Sequence, residues 1–138
     1  MPTEQDHLAL AVHNQETIDF LLTGGDRFPD WVSTVAFYKA IHLIEALIAK
    51  EFNTHGVDHK GRRAILKAHN RYANIYRQYM ALEEAANIAR YLCDYNGGRS
   101  FRTFTDYCAM ADVKSNILGG RLRELERSLA ALKPPKKK

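Results

Sequence analysis

WVSTVAFYKAIHLIEALIAKEF, residues Trp31 to Phe52, decides the fold. The stretch is apolar on nearly every side when wound as a helix, and a helix of that kind is buried. At about 100° per residue, Thr34, Tyr38, His42 and Glu45 share one narrow sector of it. Polar groups carried into a core must find partners, because an unpaired one costs roughly 1–3 kcal/mol. The centre of the fold is therefore expected to hold a polar cluster. Lys39, His42 and Glu45 interrupt the segment, which argues against a membrane span and for a soluble core helix.

Working outward, no segment shows convincing strand periodicity and no internal repeat is found. A first helix is predicted from about Glu4 to Leu22, with Leu8, Ala11, Val12, Ile18 and Leu22 on its inner side and Gly24-Gly25 ending it. Asp30 is placed as the N-cap of the central helix, which should fray near Asn53-Thr54-His55-Gly56. Asp58 caps a short helix from His59 to His69. A fourth runs from about Arg71 to Leu92, with Tyr72, Tyr76, Tyr79, Leu82, Ala86 and Ala89 at helical spacing. Asn96-Gly97-Gly98 breaks the chain, and a last helix covers about Thr105 to Leu132. Four long helices and one short one, joined by short loops, describe an all-α up-and-down bundle. The leucine row Leu118, Leu122, Leu125, Leu129, Leu132 reads as a core face or, alternatively, a dimer seam.

The 138 residues suit one domain, taken as 1–132, followed by a basic tail, 133–138, expected to be disordered because it has nothing to bury. The net charge of +4 belongs to that tail: its four lysines leave 16 basic and 16 acidic groups in the body. Within the body, residues 1–30 hold six acids against Arg27 alone, while residues 59–82 hold six Lys and Arg and no acid. The basic segment reads either as an anion-binding face or as a strip neutralised by the acidic segment packed on it. Cys93 and Cys108 show neither a disulfide framework nor a metal spacing, and no apolar leader core follows Met1-Pro2; a cytoplasmic protein is expected. Its six histidines form no metal pattern, and the glycine pairs 24–25, 97–98 and 119–120 follow no strand, so neither a metal, a cofactor nor a phosphate loop is expected.

Two further segments can meet the polar stripe. His59 and Arg62 share a face of the short helix, and Tyr79, Glu83, Ala86 and Arg90 line up on the fourth. A buried Glu45 requires a cation, for which Arg62 and Arg90 compete; His42 beside it can be oriented by the same carboxylate. The cluster Tyr38, His42, Glu45, His59, Tyr79 and Arg90 is thus either a satisfied network fixing the register of the helices or a binding site.

Phe37-Tyr38, His42 and Glu45, then His59-Lys-Gly-Arg62, Tyr79-x2-Leu82 and Ala89-Arg90-Tyr91 resemble the HEPN superfamily of small helical bundles, most closely its stand-alone bacterial members, over residues 30–95. The resemblance implies a four- or five-helix bundle, commonly homodimeric, associated with toxin–antitoxin, defence or RNA-processing systems. Active members are metal-independent endoribonucleases with an Arg-x(4–6)-His motif, in which arginine steadies phosphate charge and histidine moves a proton. That spacing is met here by Arg63 to His69 or by Arg62 to His69, though Ala64 follows Arg63 where active members carry a polar residue. Two readings stay open: an endoribonuclease acting on RNA, or a non-catalytic binding module, an accessory or antitoxin-like subunit of a partner protein encoded nearby. Neither involves a membrane.

Overall fold

The computed structural model describes residues 2–54, 58–94 and 97–133. Among them the chain is all-helical, with an isolated antiparallel bridge between Cys93 and Ser100 as its extended pairing. The helices are α1 (Glu4–Leu22), α2 (Pro29–Phe52), α3 (His59–Ala68), a 3₁₀ turn (Asn70–Tyr72), α4 (Ala73–Tyr91), a single-turn α5 (Phe104–Tyr107) and a C-terminal run. That run comprises α6 (Met110–Asp112), a π-helical segment (Val113–Leu122) and α7 (Arg123–Ala131).

Helix α1 starts on a capping box: the Thr3 hydroxyl accepts from the Asp6 amide while the Asp6 carboxylate accepts from the Thr3 amide. It ends at Thr23, and Gly25 turns the chain with φ of +69°. Helix α2 begins two residues earlier than its sequence signal. Pro29 occupies the first helical position, where its missing N–H and fixed φ cost nothing, and Phe28 is the N-cap. Asp30 therefore lies within the first turn, where its charge favours the helix dipole and its carbonyl accepts from the Thr34 hydroxyl. Asp58 caps α3 by accepting from the Gly61 amide at 2.7 Å.

Helix α2 is central. Val32, Ala36, Phe37, Ala40, Ile44 and Ile48 are fully buried on it, and α1, α4, α5, α7 and the π segment pack around it. It is also long and apolar enough to cross a membrane by length and composition, and most of that apolar stretch is buried against its neighbours while Trp31, Tyr38 and Phe52 stay exposed. Each long neighbour runs antiparallel to the next. His7 and Gln15 of α1 meet His42 and Lys39 of α2. Phe37 and Glu51 of α2 meet Tyr79 and Tyr72. Asn74 and Gln78 of α4 meet Ser128 and Arg121.

Two expectations need correction. The last helix is not continuous from Thr105: a Thr103–Asp106 capping box starts α5 at Phe104, the backbone then extends at Cys108 and Ala109, and a new helix begins at Met110. Leu8 and Val12 of α1 stand exposed, at 37% and 60%, while Ala11 and Ile18 are buried, because α1 covers α2 along a narrower strip than its apolar content allows. The leucine row of the C-terminal run is a core face: Leu122 and Leu125 are buried, and Leu118, Leu129 and Leu132 pack on the same core. The sequence signals at His55-Gly56 and Asn96, and the tail beyond Lys133, fall outside the described residues.

Candidate functional site

Arg62 occupies the middle of the polar cluster and organises it. Projecting from α3 toward α2 and α4, it is only 7% exposed. It donates from Nη1 to Glu45 Oε1 at 3.0 Å, from Nε to the Tyr79 hydroxyl at 3.1 Å, and engages His59 Nδ1 from Nη2 at 2.8 Å. An arginine has only protons to give, so His59 Nδ1 accepts and the ring carries its proton on Nε2. The Phe37 ring packs on both His59 and Tyr79, at 5.5 and 5.4 Å between centroids, and closes the apolar side of the network. Of the two cations that competed for Glu45, the fold supplies Arg62. Arg90 donates to the carbonyl of Ala86 in its own helix, lies over the Tyr91 ring and stays exposed at the rim.

Electrostatics follow from this packing. Burial opposes the charge on Arg62, yet its bonds to Tyr79 and Glu45 hold its pKa above the ordinary value. Burial, with the cations Arg62, Arg90 and Arg63 around it, holds His59 below the usual histidine range against the opposing pull of Asp58. Burial also pushes Tyr79 up to about 12, with Arg62 working against the shift. The network is thus an ion pair flanked by a neutral histidine and a neutral phenol.

The stripe on α2 divides on folding. Glu45 is buried, Thr34 is buried and turned back on its own helix, and Tyr38 is 40% exposed. His42 is half-buried, and its hydrogen-bond partner is His7 of α1, with 3.2 Å between the two Nδ1 atoms, rather than Glu45. The carboxylate still acts on it through space: burial, then the neighbouring His7, holds His42 below its usual range, and Glu45 partly counters this.

Arg63 forms an ion pair with Glu83 of α4. Glu83 is 3% exposed, and its Oε2 is buried with no hydrogen-bond partner. Burial raises the Glu83 pKa against the pull of Arg63, Arg62 and Arg90. His69 lies elsewhere. It is the C-cap residue of α3, exposed, with its ring between those of Phe52 and Tyr72. It stands seven positions beyond Arg62, about 10 Å along the helix axis. The fold brings Glu45, Arg62, His59 and Tyr79 into direct contact, sets His42 and Arg90 at the margin, and gives His69 a different set of neighbours.

Three of the six cations in the basic segment are neutralised, and not by the acidic N-terminal segment. Arg62, Arg63 and Arg71 pair with Glu45, Glu83 and Glu51, which come from α2 and α4 and not from residues 1–30. A signal existed: a run of cations with no acid of its own must find carboxylates on otherwise apolar helix faces. Among the described residues no three His, Cys, Asp or Glu side chains gather in a metal-sized group. Comparison with family models, with curated proteins and with solved structures finds no match.

Proposed function

We propose that this chain is a HEPN-like, up-and-down helical bundle acting as a non-catalytic binding module, an accessory or antitoxin-like subunit of a partner enzyme in an RNA-targeting or defence system. The observation that carries the reading is the state of Arg62. A catalytic arginine must reach a phosphate; this guanidinium is buried and committed to a carboxylate, a phenol and an imidazole. A buried arginine–carboxylate pair with good geometry fixes how helices register on one another. His59, the histidine nearest to it, has its Nδ1 lone pair occupied by Arg62, which leaves the ring without a basic nitrogen for proton abstraction.

Two measurements test the proposal together. Purified protein is incubated with mixed RNA in EDTA beside Arg63→Ala, His59→Ala and His69→Ala variants of verified fold, and the wild type is expected to cleave no faster than they do. The chain is also co-expressed with the product of the adjacent reading frame, and light scattering is expected to give a complex of fixed stoichiometry. RNA cleavage that disappears in His69→Ala or Arg63→Ala overturns the reading in favour of a ribonuclease.

A further inference from the structure

Between α4 and the C-terminal run lies a cleft of about 760 Å³, lined by none of the residues of the Arg62 network. Its volume falls within the roughly 300–1,000 Å³ of small-molecule sites. One wall is the π-helical segment, a winding that recurs at functional sites. Gly119 and Gly120 make it feasible. A Cβ on Gly119 would stand 3.0 Å from the Lys114 carbonyl, and one on Gly120 would stand 3.3 Å from the Ser115 carbonyl. The same glycines leave a bare stretch of backbone between Ile117 and Arg121 on that wall.

The charges of the cleft are unequally committed. Glu84 is engaged by Arg99 at 2.8 Å, and Glu124 accepts from Asn74 at 3.1 Å. Arg121 is steered by a single hydrogen bond to Gln78 Oε1 at 3.2 Å, which leaves most of its N–H groups open. Arg123 and Arg127 stand one turn apart on α7, with no hydrogen bond or ion pair to any described residue. Like charges at that spacing repel and destabilise a helix unless an anion lies between them. At the other end, the Asp112 carboxylate has no hydrogen bond or ion pair to any described residue, and its charge reaches the half-buried Cys108 thiol, helping burial to raise its pKa. Arg121 stands nine positions beyond Asp112, about 10 Å or more along the helix. Asn116 lies between them on the same cleft wall.

We infer that this cleft binds a small phosphorylated polyol, a sugar phosphate in chemical class, with its phosphate on Arg121, Arg123 and Arg127 and its hydroxyls toward Asn116 and Asp112. Arginine forks suit phosphate oxygens, and a carboxylate with an amide beside it suits hydroxyl donors. The site is separate from the polar cluster and does not depend on the accessory-subunit reading.

Titration calorimetry with ribose 5-phosphate, inorganic phosphate and ribose tests the inference. Ribose 5-phosphate is expected to bind saturably and more tightly than inorganic phosphate, and ribose alone not measurably. The double variant Arg123→Gln/Arg127→Gln should lose about tenfold or more in affinity for both phosphates. Asp112→Asn should weaken only the sugar phosphate, by a few fold. Arg102→Gln, outside the cleft, should change nothing. All four positions are exposed, and a thermal melt of each variant confirms an intact fold. No saturable binding, binding indifferent to the double substitution, or equal affinity for phosphate and its sugar ester would overturn the assignment.

Discussion

His7 and His42 face each other Nδ1 to Nδ1 across the α1–α2 interface at 3.2 Å, their rings stacked with centroids 5.5 Å apart. One proton can lie between two such nitrogens, and two cannot. His7 is 7% exposed and its Nε2 is buried without a partner. A buried orphan N–H is rarer than a buried orphan lone pair. The favourable arrangement therefore puts the His7 proton on Nδ1, donated to His42.

Acid should loosen this contact. The folded pKa of His42 lies below the ordinary 6.5, and that of His59 is lowered too. The unfolded chain then takes up protons first as pH falls, so stability is full above 6.5 and declines through the interval below it. Thermal melts across that range should show Tm falling on acidification, with a shallower fall in His42→Gln/His59→Gln. An unchanged slope in the double variant would assign the acid sensitivity to other groups.

The Glu45–Arg62 pair should behave as a unit. Arg62→Leu leaves a carboxylate buried without its cation and should cost about 3 kcal/mol or more. Glu45→Leu should cost a similar amount. The double variant Glu45→Leu/Arg62→Leu should lose clearly less than the sum, since neither charge is then stranded. Denaturant titration of the four proteins supplies the cycle, and simple additivity would show that the pair is not coupled.

Alkali should destabilise the fold through two phenols. Burial raises Tyr72 and Tyr79 from 10.0 to about 12; Tyr72 also donates to Glu51, which adds to its shift. The unfolded chain ionises these groups first, so stability is lost as pH rises past 10. Phenolate absorbance should show a late fraction titrating near 12, reduced in Tyr79→Phe. In Tyr79→Phe the Arg62 Nε loses its acceptor, at a cost of about 1–3 kcal/mol at neutral pH.

Gly119→Ala should run against the usual rule. In an exposed α-helix that change stabilises by about 1 kcal/mol. Here the added methyl meets the Lys114 carbonyl at 3.0 Å, inside the wider π turn. Tm should fall, or circular dichroism and amide exchange should show the segment rewound as α-helix. A simple gain in Tm with the exchange pattern intact would contradict this account.

Local signals were legible in the chain alone. Helix α1 runs over the expected Glu4 to Leu22 and stops just before Gly24-Gly25, Asp58 caps α3, and the apolar stretch of α2 is the buried centre. These features depend on periodicity and on caps within four residues, so short-range sequence carries them. The need of Glu45 for a cation was also readable, because a carboxylate on a greasy helix must be paired, with Arg62 and Arg90 both in reach. The π winding was not. It depends on carbonyls five residues back accepting at a helix whose composition reads as ordinary α.

The residues by themselves therefore determined that the chain is helical, which helix lies innermost, and that charge had to be neutralised inside it. Tertiary structure alone decided the partners: Arg62 and not Arg90 for Glu45, His7 for His42, Glu83 for Arg63, and a ring-lined position for His69 away from Arg62. The physical reason is that helical periodicity fixes the face a side chain lies on, whereas pairing requires the axial height and rotation of a second helix. Those are set by how the whole core packs.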